Sequence, residues 1–200
     1  QTGLLQERGI YQDDGASIVQ NMPIGGDGYV SLPLNILGQY VCMAHTHNSP
    51  STDTYSVPSW EDLEGVYNAV ANNDIDINSF VFFLFTADGT SFAITINDIN
   101  KFKKAFGTTP GATVTQALTE LRKYNALRDE YYYNNVNPPL ITENSTDYDG
   151  DLKSYLNLLQ SNDFGVDMMK VPANLTNNLS DYEQLSYDPL NDDILRGNCN

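Results

Sequence analysis

Tyr40-Val41-Cys42-Met43-Ala44-His45-Thr46-His47 is the stretch that decides the fold. Its apolar start is short and compact, as a buried strand is, and it runs directly into two histidines. Side chains at i and i+2 of a strand leave from one face, so His45 and His47 can converge on a single point. They are the only two histidines in the chain. A polar loop over 48–58 follows, with Pro50 and Pro58, and Pro58-Ser59-Trp60-Glu61-Asp62-Leu63 then opens a helix. Ser59 reads as its N-cap and Glu61 and Asp62 as first-turn acids, with Leu63, Val66, Tyr67 and Val70 at helical spacing. Asn72-Asn73-Asp74 ends it.

Working outward, Gly9 to Ser31 alternates short apolar pairs with the turn signals Asp13-Asp14-Gly15 and Gly25-Gly26-Asp27-Gly28, which predicts two or three strands. Ser79 to Thr86 and Ser91 to Ile96, joined by Ala87-Asp88-Gly89-Thr90, predict a hairpin whose continuously apolar first strand is central. Asp98 to Phe106 predicts a short basic helix, and Gly107-Thr108-Thr109-Pro110-Gly111 breaks the chain. The core is therefore placed at residues 1–107. Residues 108–200 read as a mainly helical extension packed on it. That extension is expected to hold a helix from Val114 to about Tyr133, with Leu118, Leu121, Tyr124 and Leu127 on one face. A helix from Leu152 to Leu159 and a strand over Gly165 to Val171 follow. Tyr131-Tyr132-Tyr133 reads as a helix end packed on the core. The expected class is α/β, a mixed-sheet core with a C-terminal helical extension.

Lys and Arg number 10 against 26 Asp and Glu, a formal net charge of −16 over 200 residues. Such a chain repels phosphate backbones and anionic headgroups, so nucleic acid and membrane surfaces are excluded as default partners. The longest apolar run, Phe80 to Phe85, is far too short to span a bilayer, so no membrane insertion is expected. Cys42 and Cys199 are too few for a disulfide framework or a thiolate metal cluster. Opening on Gln1, the chain is expected to be a processed or excised piece of a longer product. Its Asn-rich, Lys-poor composition points toward an extracytoplasmic or surface-associated origin. Residues 1–100 hold a single basic residue, Arg8, and carry most of the acidic excess, so the question is which few of those acids are more than solvated surface.

Two imidazoles converging at a strand end have the geometry of a metal site. A catalytic zinc takes three protein ligands and keeps one position open, and a carboxylate is a regular third ligand beside two histidines. Asp62 is the leading candidate, with Asp53 and Glu61 as competitors. Ser59-x-x-Asp62 also resembles a capping box, which is the structural alternative for that carboxylate. Hydrolysis further needs a base for the proton of the zinc-bound water. Glu7, in Gln6-Glu7-Arg8-Gly9-Ile10-Tyr11 at the start of the first strand, is the best placed.

The ordered set Glu7, apolar strand, His45-Thr46-His47, loop, and Pro58-Ser59-Trp60-Glu61-Asp62-Leu63 resembles the JAMM (MPN-type) zinc metallopeptidases over roughly residues 5 to 100. That resemblance implies a core similar to the cytidine deaminase architecture. It implies Zn²⁺ held by His45, His47 and Asp62, with Glu7 as acid/base and Ser59 as the hydroxyl that stabilises the oxyanion. It also implies hydrolysis of peptide or isopeptide bonds in a polypeptide substrate, including one that offers an extended tail. Bacterial relatives occur as peptidases and as toxin or surface-protein modules. Two other functions share these motifs: a catalytically silent MPN-like binding module, and a zinc hydrolase acting on a non-peptide amide. The chain departs from the family pattern in having Asn48-Ser49-Pro50 after the second histidine and a longer stretch, 48–58, before Ser59.

Overall fold

In the computed structural model, residues 8–15, 18–23, 30, 38–47, 55–86, 88–109, 111–134, 137–172 and 178–199 are described, and structural statements below concern these. Strands Gly9–Asp13 (β1), Gln20–Asn21 (β2) and Tyr40–His47 (β3) precede helix Trp60–Ala71 (α1). The hairpin Val81–Thr86 (β4) and Ser91–Ile96 (β5) follows, then helices Ile99–Ala105 (α2) and Val114–Arg128 (α3), the latter running into a π-helical turn, Asp129–Tyr133. Helix Tyr148–Ser161 (α4) leads to three further strands, Val166–Lys170 (β6), Glu183–Asp188 (β7) and Asp193–Asn198 (β8).

These eight strands form one sheet in the order β2-β1-β3-β4-β5-β6-β7-β8. Only β3 and β4 pair in parallel; the other neighbours are antiparallel. A parallel pair cannot be closed by a tight turn, and the β3–β4 connection accordingly carries α1 across the sheet. The expected α/β class with a mixed sheet is what the chain adopts. The segment beyond residue 107 differs from the helical extension expected of it, because β6, β7 and β8 continue the sheet from β5. Of the three, only β6 had a legible apolar signal. The other two are polar strands: β8 is exposed along most of its length, β7 fully buries only Leu185, and both are held mainly by backbone pairing.

One face of the sheet is the core face. Register aligns Tyr11 with Met43, Met43 with Phe82, Phe82 with Ile94, Ile94 with Met168 and Met168 with Leu185, a row of buried side chains crossing six strands. The helices cover this face through Trp60, the fully buried first residue of α1. Its ring centroid lies 5.0 Å from that of Tyr124 in α3, and 5.9 Å from those of Phe106 after α2 and Tyr132 in the π-helical turn. Its indole N–H donates to the Tyr124 hydroxyl at 2.9 Å, so the one polar atom of the ring is satisfied inside the cluster. Helix α3 meets this layer only with its C-terminal half. Tyr124 and Leu127 are buried, but Leu118 and Leu121 of the expected apolar face are about half exposed, because the first turns of α3 extend past the layer.

The ends of α1 follow from local chemistry. Ser59 caps the start, and at the other end Asn73 takes φ +63°, a left-handed conformation that asparagine tolerates. Truncating Trp60 to alanine should remove the contact that seats the start of α1 and cost about 3–5 kcal/mol. Urea unfolding followed by circular dichroism checks this, and a loss below about 1 kcal/mol would show that α1 is seated by other contacts.

Candidate metal centre

His45 and His47 occupy the C-terminal end of β3 on the core face, and both are buried. Their ring centroids lie 5.0 Å apart, as the i, i+2 spacing predicts. Pairing with β4 sets His45 beside Leu84 and His47 beside Thr86, so the strand ends in a ledge open toward the start of α1.

The start of α1 supplies the third group. Ser59 Oγ accepts from the Asp62 backbone N–H at 3.1 Å, and Asp62 Oδ2 accepts from the Ser59 N–H at 2.7 Å, a complete capping box. The same carboxylate faces both imidazoles: Oδ1 lies 3.1 Å from His45 Nε2 and Oδ2 lies 3.1 Å from His47 Nε2. The cap that the sequence set against the ligand role is therefore formed, and the same carboxylate still faces the two histidines. Capping fixes its carbon skeleton and leaves both oxygens turned toward β3.

The hydrogen bonding of the rings decides what this arrangement can hold. His47 Nδ1 is 2.8 Å from the Tyr55 carbonyl oxygen, which can only accept, so Nδ1 carries the proton. In the neutral ring Nε2 then presents a lone pair to Asp62. A cation between the two would bind both, whereas a protonated ring donates to the carboxylate directly. His45 Nε2 is near Asp62 but is not aligned for a hydrogen bond, and it is buried without a hydrogen-bond partner among the described residues. An unpartnered buried nitrogen costs about 1–3 kcal/mol, and a cation at this point would recover that cost. The donor atoms of His45, His47 and Asp62 all lie within 4.8 Å of one another, so the three could hold a metal ion. Two imidazole nitrogens and one carboxylate oxygen suit zinc and other divalent first-row ions. Burial alone would raise the Asp62 carboxyl; in the ion-paired form the positive charges of His45 and His47 outweigh it and hold the group well below the usual carboxylate range.

The loop that brings Tyr55 to His47 is clamped from the C-terminal half of the chain. Tyr55 donates its hydroxyl to Glu143 at 3.2 Å, Ser56 donates to the buried carboxylate of Asp151 at 2.8 Å, and Tyr132 donates to the Pro58 carbonyl at 2.7 Å. Tyr131 and Tyr132 are buried, as expected for a helix end packed on the core, and Tyr133 donates to Glu61. Glu61 is thereby turned outward to Tyr133 and does not join the histidines. Asp53, the other competitor, and Glu7, the expected acid/base, lie outside the described residues. Ser59 is buried at the site as the cap of α1. The contributions of Tyr55, Ser56, Tyr132 and Asp151 have no local signal in the sequence, since each depends on a partner far along the chain or on a backbone carbonyl.

No family model, curated protein or solved structure matches this chain. Its class is defined by what its own residues build: an α/β protein with an eight-stranded mixed sheet and a buried His-His-Asp group able to take a metal ion.

The substitution Asp62→Asn separates the two roles of this residue, because an amide oxygen still accepts from the Ser59 N–H but carries no charge. Helix α1 should still form, as read by circular dichroism, while Zn²⁺ affinity measured by titration calorimetry should fall at least roughly tenfold. Unchanged affinity would leave Asp62 as a cap only.

Proposed function

We propose that the protein is a zinc-dependent hydrolase of the JAMM (MPN) type that cleaves peptide or isopeptide bonds. The observation that carries this reading is the convergence of His45, His47 and Asp62, with a buried His45 nitrogen that has no hydrogen-bond partner among the described residues. It is supported by the order of elements: the His-x-His strand, then the capped helix bearing Asp62, then the hairpin β4–β5. In this reading His45 and His47 contribute neutral imidazoles and Asp62 the single ligand charge. Bound there, zinc supplies Lewis-acid polarisation of a carbonyl and lowers the pKa of water to about 7.

The remaining work belongs to the chain's own groups. Tyr55 and Asp62 keep the rings oriented, the former by fixing the tautomer of His47. Ser59 positions Asp62 through the capping box and, by the resemblance, directs its hydroxyl proton toward the oxyanion that develops on the substrate. Glu7, by the same resemblance, accepts a proton from the attacking water and delivers it to the leaving nitrogen. The acidic surface favours a neutral or basic polypeptide as substrate.

The test joins metal content to cleavage. Protein exposed to Zn²⁺ and dialysed should retain about one ion per chain, and the double variant His45→Ala/His47→Ala should retain none. The Glu7→Gln variant should keep the metal and lose cleavage of a peptide and isopeptide library, because an amide cannot accept the proton. Stoichiometric metal on the double variant would sink the centre. Metal retained by the wild-type chain without any cleavage would favour a silent binding module.

A further inference from the structure

Two buried polar atoms without hydrogen-bond partners among the described residues are His45 Nε2, at the candidate centre, and the hydroxyl of Tyr155, which is near enough to Asp62 to feel its charge. Their needs are opposite: a ring nitrogen that binds a cation does so through its lone pair, and a phenol offers a proton. Tyr155 sits on α4 and is fully buried. One helical turn earlier, on the same face of α4, Asp151 accepts from Ser56, which places this face against the 55–59 loop that carries the partner of His47. Burial first, and then the charge of Asp62, hold the Tyr155 phenol well above the usual tyrosine range, so it stays protonated and remains a donor. The neighbouring Tyr132 differs, because its hydroxyl is already used on the Pro58 carbonyl.

A metal ion by itself answers only the nitrogen. A cation has nothing to accept from an O–H group, so the phenol would stay unsatisfied in a dry site, at the cost of a buried donor. An oxygen ligand at the centre answers both needs, since its oxygen binds the ion and accepts from the phenol. We propose that Tyr155 is a hydrogen-bond donor to an oxygen ligand held at the His45-His47-Asp62 centre, the ligand being water or the carbonyl or carboxylate oxygen of an acyl substrate or product. This rests on the metal-centre reading above and adds a second donor beside Ser59, supplied by the C-terminal half of the chain. A fixed donor aimed at a developing oxyanion gains strength in a water-poor site, and its removal elsewhere costs two to three orders of magnitude in rate.

The experiment uses the full chain loaded with Zn²⁺, or with Co²⁺ for its visible spectrum, and acetohydroxamate as an oxygen-donor probe. Tyr155→Phe should bind Zn²⁺ as tightly as wild type, because the phenol is not a ligand. Its affinity for acetohydroxamate should fall roughly tenfold. Its metal-free melting temperature should be no lower than that of wild type, since the substitution deletes an unsatisfied group. In the wild-type protein the probe should also perturb the ultraviolet difference band of a buried tyrosine, a readout that does not depend on the variant. Equal probe affinity in the two proteins, no tyrosine difference band, or a lower metal-free melting temperature in the variant would each overturn the role of Tyr155 and leave the metal centre standing. A wild-type chain that holds no metal would overturn both.

Discussion

One largely buried carboxylate, that of Asp62, is answered at once by a helix N-terminus and by two imidazoles. A buried charge is tolerated only when its lone pairs find partners, and here the partners come from different elements. The Ser59 N–H and the positive end of α1 stabilise the negative charge from one side. From the other side the end of β3 presents His45 and His47. Satisfying that carboxylate fixes where α1 begins relative to the sheet, and with it the position of Trp60, two residues earlier, and the helical layer gathered around that ring.

The same constraint reaches into the loop before the helix. The proton of His47 is held by the Tyr55 carbonyl, so the orientation of that ring depends on the course of residues 55–59. Those residues have little apolar anchorage of their own beyond Tyr55 and Val57. Their position is set by hydroxyl and carboxylate groups from the π-helical turn and α4, through Tyr132 on Pro58 and Asp151 on Ser56. Burial raises the Asp151 carboxyl, and its hydrogen bonds, with Ser56 foremost, counter part of that. The C-terminal half thus does more than pack on a finished core. It supplies the outer layer of contacts that orients the candidate ligands, and it extends the sheet that carries them.

Much of the site was legible because its signals are local. His-x-His at the end of an apolar strand needs only the two-residue period of a strand to bring two rings to one face. Ser59-x-x-Asp62 needs only the geometry of a first helical turn. The boundaries of α1, β4, β5 and α2 were readable for the same reason, since caps, turns and periodicity act over a few residues. The polar strands β7 and β8 were not readable, because backbone pairing with a neighbour holds them and leaves little trace in their side chains. Leu118 and Leu121 show the converse: a regular apolar stripe says which residues could be buried, and the extent of the neighbouring layer decides which are.

The sequence by itself determined the chemical kind of the site: two imidazoles and a carboxylate, their order along the chain, and the strand and helix that present them. The tertiary structure decided that Asp62 and not Glu61 faces the histidines, that capping and facing them are compatible, and that Tyr55 reaches His47 from a loop held by Tyr132 and Asp151. The physical reason is distance along the chain. The Ser56–Asp151 hydrogen bond joins residues 95 apart and the Tyr132–Pro58 bond residues 74 apart. Partners so far apart are chosen by how the layers close, which no local pattern encodes.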